Sequence, residues 1–182
     1  MIIEVKNFLS PEEIEQVRSH FTEINEFSVG QYYNRQGDTV FVSGNKNFEA
    51  ADDQLYHIFC RVLTDVIAPL LVIDFPISDS GYEFHRYGKG DICELHTDGL
   101  FILSPGEGST VRLATAVIHL TDDESELHFP NQRTQVKTEA GKLILFSPDE
   151  FHSHYSTPVT GSKEIIMTWF TYGGITVFKD SN

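Results

Sequence analysis

Residues 82–99 read YEFHRYGKGDICELHTDG. The first part, Tyr82–Tyr87, is typical of a short strand, and Gly88-Lys89-Gly90 is a turn signal. A second strand is predicted over Ile92–His96, and the triplet His96-Thr97-Asp98 lies at its end. Side chains two positions apart on an extended segment point to the same side. His96 and Asp98 therefore form one half of a candidate metal site.

Short strand patterns separated by turn signals continue to the end of the chain. The further predicted strands are Thr110–Thr121, Glu126–Phe129, Gln132–Lys137, Lys142–Ser147, His152–Thr157, Glu164–Tyr172 and Ile175–Phe178. Helices followed by many closely spaced strands favour an α+β, mainly β fold. We expect a double-stranded β-helix, or jelly roll, backed by N-terminal helices.

The N-terminal part of the chain carries the helical signals. Ser10-Pro11-Glu12-Glu13 forms a capping box with proline at the first helical position, which predicts a helix over about 11–24. Apolar spacing predicts a second helix over about 51–67, and β-formers predict a strand over Asp38–Ser43. No linker or repeat divides the chain. We expect a single domain over 1–182, with a helical support region (1–79) and a jelly-roll core (80–178).

Composition excludes several classes of partner. The 182 residues carry a formal net charge of −14, which argues against binding to nucleic acid or to anionic membranes. Only two cysteines occur, so a disulfide framework is not expected. The N-terminus lacks the features of a signal peptide, and the longest apolar run, Val66–Ile73, is too short to span a bilayer. We expect a cytoplasmic protein.

A third metal ligand is available from His152-Ser153-His154. Either imidazole would complete a set of two histidines and one carboxylate with open coordination positions, which is the ligand set of non-haem Fe(II) oxygenases. The same three residues would also suit a catalytic zinc ion. Lys163 follows closely, and a cation there suits a second, carboxylate-bearing ligand.

Two parts of the chain resemble the 2-oxoglutarate- and Fe(II)-dependent dioxygenases of the prolyl 4-hydroxylase type, above all the bacterial PKHD-type hydroxylases. The first is residues 82–99, and the second comprises 141–148, 154–163 and Trp169-Phe170. The resemblance covers about residues 80–172. In that family a Pro-Val pair begins four residues after the distal histidine, and the co-substrate cation follows that histidine by about nine. His154 and Lys163 fit this spacing, whereas His152 does not.

The resemblance implies roles for six residues. His96, Asp98 and His154 would bind the metal and form the catalytic centre. Lys163 would pair with the distal carboxylate of 2-oxoglutarate. Tyr87 would help to hold the same carboxylate, and His119 would contact the co-substrate.

The implied enzyme is a hydroxylase. It would use Fe(II), 2-oxoglutarate and O₂, with ascorbate as a further cofactor, and would release succinate and CO₂. Its substrate would be a peptidyl residue such as proline, or a small molecule. Two alternatives stay open from the residues alone: a jelly-roll hydrolase or isomerase that uses Zn(II) or Mn(II), and a non-catalytic metal-binding module. The first of them leaves Lys163 without a role.

Overall fold

The structure, a computed structural model, describes residues 1–22, 30–33, 39–42, 45–48, 53–71, 76–104 and 108–172. Its helices are α1 (Pro11–Thr22) and α2 (Asp53–Arg61), and α2 continues as a π-helical segment (Val62–Ile67) and a 3-10 turn (Ala68–Leu70). Its strands are β1 (Ile2–Val5), β2 (Gly30–Tyr33), β3 (Thr39–Val42), β4 (Asn45–Phe48), β5 (Ile77–Asp79), β6 (Tyr82–Tyr87), β7 (Phe101–Ser104), β8 (Gly108–His119), β9 (Asp123–Phe129), β10 (Thr134–Thr138), β11 (Leu143–Phe146), β12 (Tyr155–Ser156) and β13 (Lys163–Tyr172).

Two antiparallel sheets form the body of the molecule. The larger has eight strands in the order β1-β11-β8-β13-β6-β4, with β5 paired to β13 and β7 paired to β8. The smaller has the order β10-β9-β12, and β2 and β3 form a separate pair. Side chains from both sheets pack into one apolar cluster between them. The predicted double-stranded β-helix is therefore confirmed.

Alternation along the strands of the larger sheet creates two cores. Val117 and Ile165 point toward the smaller sheet, whereas their neighbours Ile118 and Ile166 point toward the helices. The core between the sheets also contains Leu127, Phe129, Val136, Ile144 and Phe146. The core beneath the helices also contains Val17, Phe21, Leu55, Phe59, Leu143 and Leu145. The helices thus support the outer face of the larger sheet and leave its inner face for the site.

The N-terminal region agrees with the predictions in its helices and adds strands to them. The capping box is present, since the Ser10 amide donates to Glu13 Oε2 and the Glu13 amide donates to Ser10 Oγ. The second predicted helix is α-helical only as far as Arg61, and residues 23–24 and 51–52 of the two predicted helices lie outside the described residues. Strands β1, β4 and β5 join the larger sheet, so this region also supplies sheet edges.

Two predicted strands next to the site need correction. The strand predicted over Ile92–His96 is wrong, because only His96 forms an isolated bridge there, to His154. The segment pairs with residues 154–159 only irregularly, since the Cys93 carbonyl accepts from the Ser156 amide whereas the Cys93 amide donates to the Ser156 hydroxyl. The strand predicted over His152–Thr157 is reduced to β12, since Asp149 caps a 3-10 turn over Glu150–His152.

The remaining predicted strands match β6, β8, β9, β10, β11 and β13, and their observed ends differ from the predicted ends by a few residues. The strand predicted over Ile175–Phe178 lies outside the described residues. Within the described ranges, every helix is too short or too polar to cross a bilayer.

Candidate active site

His96, Asp98 and His154 meet at one point. The two histidines face each other through a pair of backbone hydrogen bonds, from His96 N to His154 O (3.0 Å) and from His154 N to His96 O (2.9 Å). Asp98 Oδ1 lies 3.5 Å from His96 Nε2 and 3.8 Å from His154 Nε2. One ligand atom from each residue lies within 4.8 Å of the others. The isolated bridge between His96 and His154 thus brings together residues that are at least 56 positions apart in the chain.

Backbone carbonyls hold both imidazoles in the same orientation. Nδ1 of His96 lies 2.7 Å from the Glu94 carbonyl, and Nδ1 of His154 lies 2.9 Å from the His152 carbonyl. A carbonyl oxygen only accepts, so Nδ1 carries a proton in each ring and Nε2 is the atom that faces Asp98, which is how histidine ligands are oriented in metal sites. Burial opposes a charge on His96, but Cys93 and Asp98 outweigh it and hold the pKa of His96 well above its usual value, so its Nε2 would release a proton when it binds a metal. Burial, followed by the charge of His96, lowers the pKa of His154 to about 4, so its imidazole is neutral.

Asp98 is held as a carboxylate with one oxygen left for a metal. Thr115 donates a hydrogen bond to Oδ2, while Oδ1 faces the two imidazoles. Burial favours the neutral acid, but the electrostatic interactions with His154 and His96 and the hydrogen bonds from His96 and Thr115 outweigh it, so the pKa of Asp98 lies well below its usual range. Arg112 stacks on Trp169 and donates to the Asp98 carbonyl, and this hydrogen bond fixes the backbone of Asp98.

His152 lies outside this cluster. Its Nδ1 is 2.7 Å from Asp149 Oδ1, and its Nε2 is 2.6 Å from the amino group of Met1. Both ring nitrogens are therefore occupied away from Asp98. Its carbonyl still serves the site by accepting from His154 Nδ1. Of the two candidates for the third ligand, the structure brings His154 to the cluster.

A pocket between the sheets joins the cluster to the other three candidate residues. Lys163, Tyr87 and His119 all line it, together with His96, Asp98 and His154. Lys163 begins β13 opposite Tyr87 on β6, and its Nζ lies 5.8 Å from the centre of the Tyr87 ring. Lys163 is only 5% exposed, and burial lowers the pKa of its ammonium group. Among the described residues, no carboxylate lies within 4.0 Å of its Nζ.

His119, which lines the same pocket, also carries an unsatisfied polar group. It is buried, and its Nδ1 has no hydrogen-bond partner. Burial, followed by the charges of Lys163 and Lys142, holds the pKa of His119 well below its usual range, so the ring is neutral. A buried cation and a buried unpaired ring nitrogen are both costly unless a ligand pairs with them. The donor set therefore fits a metal at one end of the pocket and an anion at the other.

The loop before Lys163 is anchored by Asp123. Its carboxylate accepts hydrogen bonds from the amides of Ser125, Thr160 and Gly161. Burial raises the pKa of Asp123, but these hydrogen bonds outweigh it, so the pKa lies well below its usual range. The anchor fixes the path of the chain between His154 and Lys163.

Sequence reasoning missed three residues next to the cluster: Thr115, Arg112 and Cys93. Thr115 could have been found, because it lies on the same face of a predicted strand as His119, four residues away. Cys93 approaches the Nδ1 edge of His96, with Sγ 3.6 Å from that atom, on the side away from the metal-facing Nε2. No sequence signal points to Cys93, since its place depends on the irregular segment that replaces the predicted strand.

Thr115→Val is expected to weaken Fe(II) binding by about tenfold, because residues that orient a metal ligand typically contribute 10- to 100-fold. Valine has the same shape, but it leaves Oδ2 of Asp98 without its donor. Anaerobic Fe(II) titration measures the change. Thr168→Val is the matched control, since Thr168 is also buried but lies on the opposite, helix-side face of the larger sheet and donates to the Gly81 carbonyl. Equal losses in both variants would contradict the assigned role.

Several solved prolyl hydroxylases have a similar fold. The viral collagen prolyl hydroxylase of Paramecium Bursaria Chlorella virus-1, solved with 2OG, superposes with a TM-score of 0.67 at 18% identity, over 94% of this chain and 96% of that one. A prolyl hydroxylase of Trichoplax adhaerens, in complex with a hypoxia inducible factor peptide, gives 0.66 at 17% identity, over 93% and 82%. A Pseudomonas putida prolyl-4-hydroxylase gives 0.61 at 15% identity, over 95% and 93%.

These likenesses establish the fold. No curated protein matched the chain. Residues 82–171 match the sequence model of the 2OG-Fe(II) oxygenase superfamily, a range that includes the three clustered residues and Lys163. The chain belongs to the 2OG-Fe(II) oxygenase superfamily.

Proposed function

We propose that this protein is a hydroxylase that oxidises a C–H bond of a peptidyl substrate, with Fe(II) held by His96, Asp98 and His154. The observation that carries the proposal is the convergence of two imidazole Nε2 atoms and one carboxylate oxygen at a pocket that also contains a buried lysine. Three protein ligands leave open positions on a metal for a bidentate co-substrate and for O₂.

The pocket residues divide the work. Lys163 pairs with the distal carboxylate of 2-oxoglutarate, and Tyr87 and His119 contact the same molecule. The Glu94 and His152 carbonyls accept from Nδ1–H of the two imidazoles and so direct Nε2 of each ring to the metal position. The apolar walls, which include Val117, Leu127 and Met167, exclude water from the oxidising centre. Iron and 2-oxoglutarate, when bound, supply the oxidation and release succinate and CO₂.

A prolyl residue within a peptide is the substrate that we favour. Support comes from the neighbours in fold, which are prolyl hydroxylases by name, one of them in complex with a peptide. The net charge of −14 favours peptides with basic residues over acidic ones. Small molecules are the competing class, and the assay below separates the two.

The test measures succinate formed by the protein with Fe(II), 2-oxoglutarate, O₂ and ascorbate. Proline-containing peptides, with and without lysine or arginine, are compared with free proline and other amino acids. We expect a proline-containing peptide to raise succinate formation above the background and to gain the mass of one oxygen atom. Stimulation by free amino acids alone would contradict the peptidyl substrate. Absence of both succinate formation and 2-oxoglutarate binding would contradict the enzyme class.

A hydrolase or isomerase that uses Zn(II) or Mn(II) is the weaker candidate. It would use the same three ligands but would need no cation beside the pocket. It predicts turnover without O₂. An anionic co-substrate gives a role to Lys163, which is buried and has no carboxylate partner among the described residues, and this supports the oxygenase over the hydrolase or isomerase.

A further inference from the structure

The segment that leads to His96 contains one extra residue relative to the chain that it pairs with. Backbone hydrogen bonds join Cys93 to Ser156 and His96 to His154, so two residues of the segment lie opposite the single residue between Ser156 and His154. Residues 93 and 96 would point to opposite faces of a regular strand, and the extra residue turns both to the same face. Cys93 therefore lines the pocket together with His96.

The Cys93 thiol lies close to the buried cation of the pocket. The thiol is free and half-buried, and Lys163 lines the same pocket. Burial lowers the pKa of Lys163, and the interaction with Cys93 is the largest of the charge effects that oppose this shift, which places the sulfur within electrostatic reach of the ammonium group. Lys163 is only 5% exposed and has no carboxylate within 4.0 Å of its Nζ among the described residues.

A buried cation and a thiol in one pocket select a particular kind of reagent. Lys163 gains a partner when a carboxylate enters, because an unpaired buried charge is costly. Cys93 carries the only thiol among the described residues that line the pocket. A small molecule with both a carboxylate and an electrophilic carbon is then held with that carbon near the sulfur, which raises its effective concentration there. A neutral molecule of the same size gains nothing from Lys163.

We propose that Cys93 is a site of covalent modification by small electrophiles that carry a carboxylate, and that the adduct closes the co-substrate pocket. With a haloacetate, the Cys93 sulfur forms a bond to the CH₂ carbon and the carbon–halogen bond breaks. The halide leaves with the electron pair of that bond, and the thiol proton passes to solvent. The carboxylate of the thioether then pairs with Lys163. The inference rests on the proposed function only in taking Lys163 as the partner of 2-oxoglutarate.

Iodoacetate and iodoacetamide are the matched probes, because they share the reactive carbon and differ in charge. The Fe(II)-loaded protein is labelled with each reagent at one pH without O₂, and mass spectrometry follows the rates at Cys93 and Cys60. The measured quantity is the ratio of the iodoacetate rate to the iodoacetamide rate at each cysteine, because the ionisation of the thiol affects both rates equally and cancels.

Cys60 is the internal control. It is also free and half-buried, but it lies on α2, which packs on the opposite face of the larger sheet from the pocket. We expect the ratio at Cys93 to exceed the ratio at Cys60 by at least about tenfold, because a charged pocket raises the local concentration of a counter-ion by 10-fold or more.

Competition with 2-oxoglutarate tests whether the adduct and the co-substrate share one place. At about 100 times its Kd, 2-oxoglutarate occupies about 99% of the pockets, so labelling of Cys93 is expected to slow at least about tenfold while labelling of Cys60 is unchanged. Protein carboxymethylated at Cys93 is expected to lose the metal-to-ligand charge-transfer absorption that 2-oxoglutarate produces on bound Fe(II). Cys93→Ser has no thiol to alkylate at this position, so iodoacetate treatment is expected to leave its absorption as it was before treatment.

Two lysine variants identify the source of the preference. Lys163→Met removes the cation, so the ratio at Cys93 is expected to fall to the ratio at Cys60. Lys142→Met is the control, since Lys142 is equally buried but is paired with two glutamates, and the ratio at Cys93 is expected to stay unchanged. If thermal melting shows that Lys163→Met does not fold, the competition with 2-oxoglutarate in the unmodified protein carries the test.

The outcomes separate the modification site from the proposed function. Equal ratios at the two cysteines of the unmodified protein, or a ratio at Cys93 that is unchanged in folded Lys163→Met, overturns the modification site. The proposed function stands in both cases if 2-oxoglutarate still produces the charge-transfer absorption. If the preference depends on Lys163 but 2-oxoglutarate neither protects Cys93 nor changes the absorption, the proposed function and the closing of a co-substrate pocket are overturned together.

Discussion

His154→Ala is expected to abolish activity, with a loss of at least about 100-fold in 2-oxoglutarate turnover, because residues that merely orient a metal ligand already contribute 10- to 100-fold. The variant removes one of the three ligand atoms that converge within 4.8 Å. Anaerobic titration with Fe(II) and 2-oxoglutarate measures the effect directly, through the metal-to-ligand charge-transfer absorption of the ternary complex. That absorption is expected to be absent in His154→Ala.

His152→Ala is the matched control, since it removes an imidazole two residues away from the same turn. Its ring contacts Asp149 and the Met1 amino group, and the carbonyl that accepts from His154 Nδ1 is kept. We expect the charge-transfer absorption to persist and the melting temperature to fall modestly. The opposite pattern, with absorption lost in His152→Ala and kept in His154→Ala, would reverse the assignment of the third ligand.

The fold was predictable because its signals are local. The alternating pattern of β6 and the apolar patterns of β8, β11 and β13 can be recognised in each segment without knowledge of the strand that pairs with it. The pair His96 and Asp98 is local in the same way. Its completion by His154 required either the spacing of a known family or the backbone pairing between the two histidines, and spacing alone left His152 as a rival.

What could not be predicted depends on contacts between distant segments. The strand β1 has only four residues, and its pairing with β11 links residues about 140 positions apart. The segment that contains Cys93 has a strand-like sequence, yet its amide is taken by the Ser156 hydroxyl. The ring orientations of His96 and His154 depend on which carbonyl lies behind each ring. Such pairings are decided by tertiary structure, which overrides the local preference.

Lys163→Met is expected to raise the Kd and KM for 2-oxoglutarate by about 100-fold or more, because truncation of one partner of a buried charge pair typically costs 2–5 kcal/mol. The same variant is expected to melt at an unchanged or higher temperature in the absence of co-substrate. Lys163 is buried, and no carboxylate among the described residues lies within 4.0 Å of its Nζ. In the free protein its charge therefore lowers the free energy of unfolding. Methionine fills a similar volume without that charge.

Lys142→Met separates a binding role from a structural one. Lys142 is as deeply buried as Lys163, but its Nζ is paired with Glu4 Oε2 at 3.3 Å and with Glu139 Oε2 at 3.1 Å. Its removal is expected to lower the melting temperature and to leave the KM for 2-oxoglutarate unchanged. The two lysines should therefore respond in opposite ways, one in binding and the other in stability. A loss of stability in Lys163→Met with an unchanged KM would contradict the pairing of Lys163 with the co-substrate, because only a structural lysine behaves in that way.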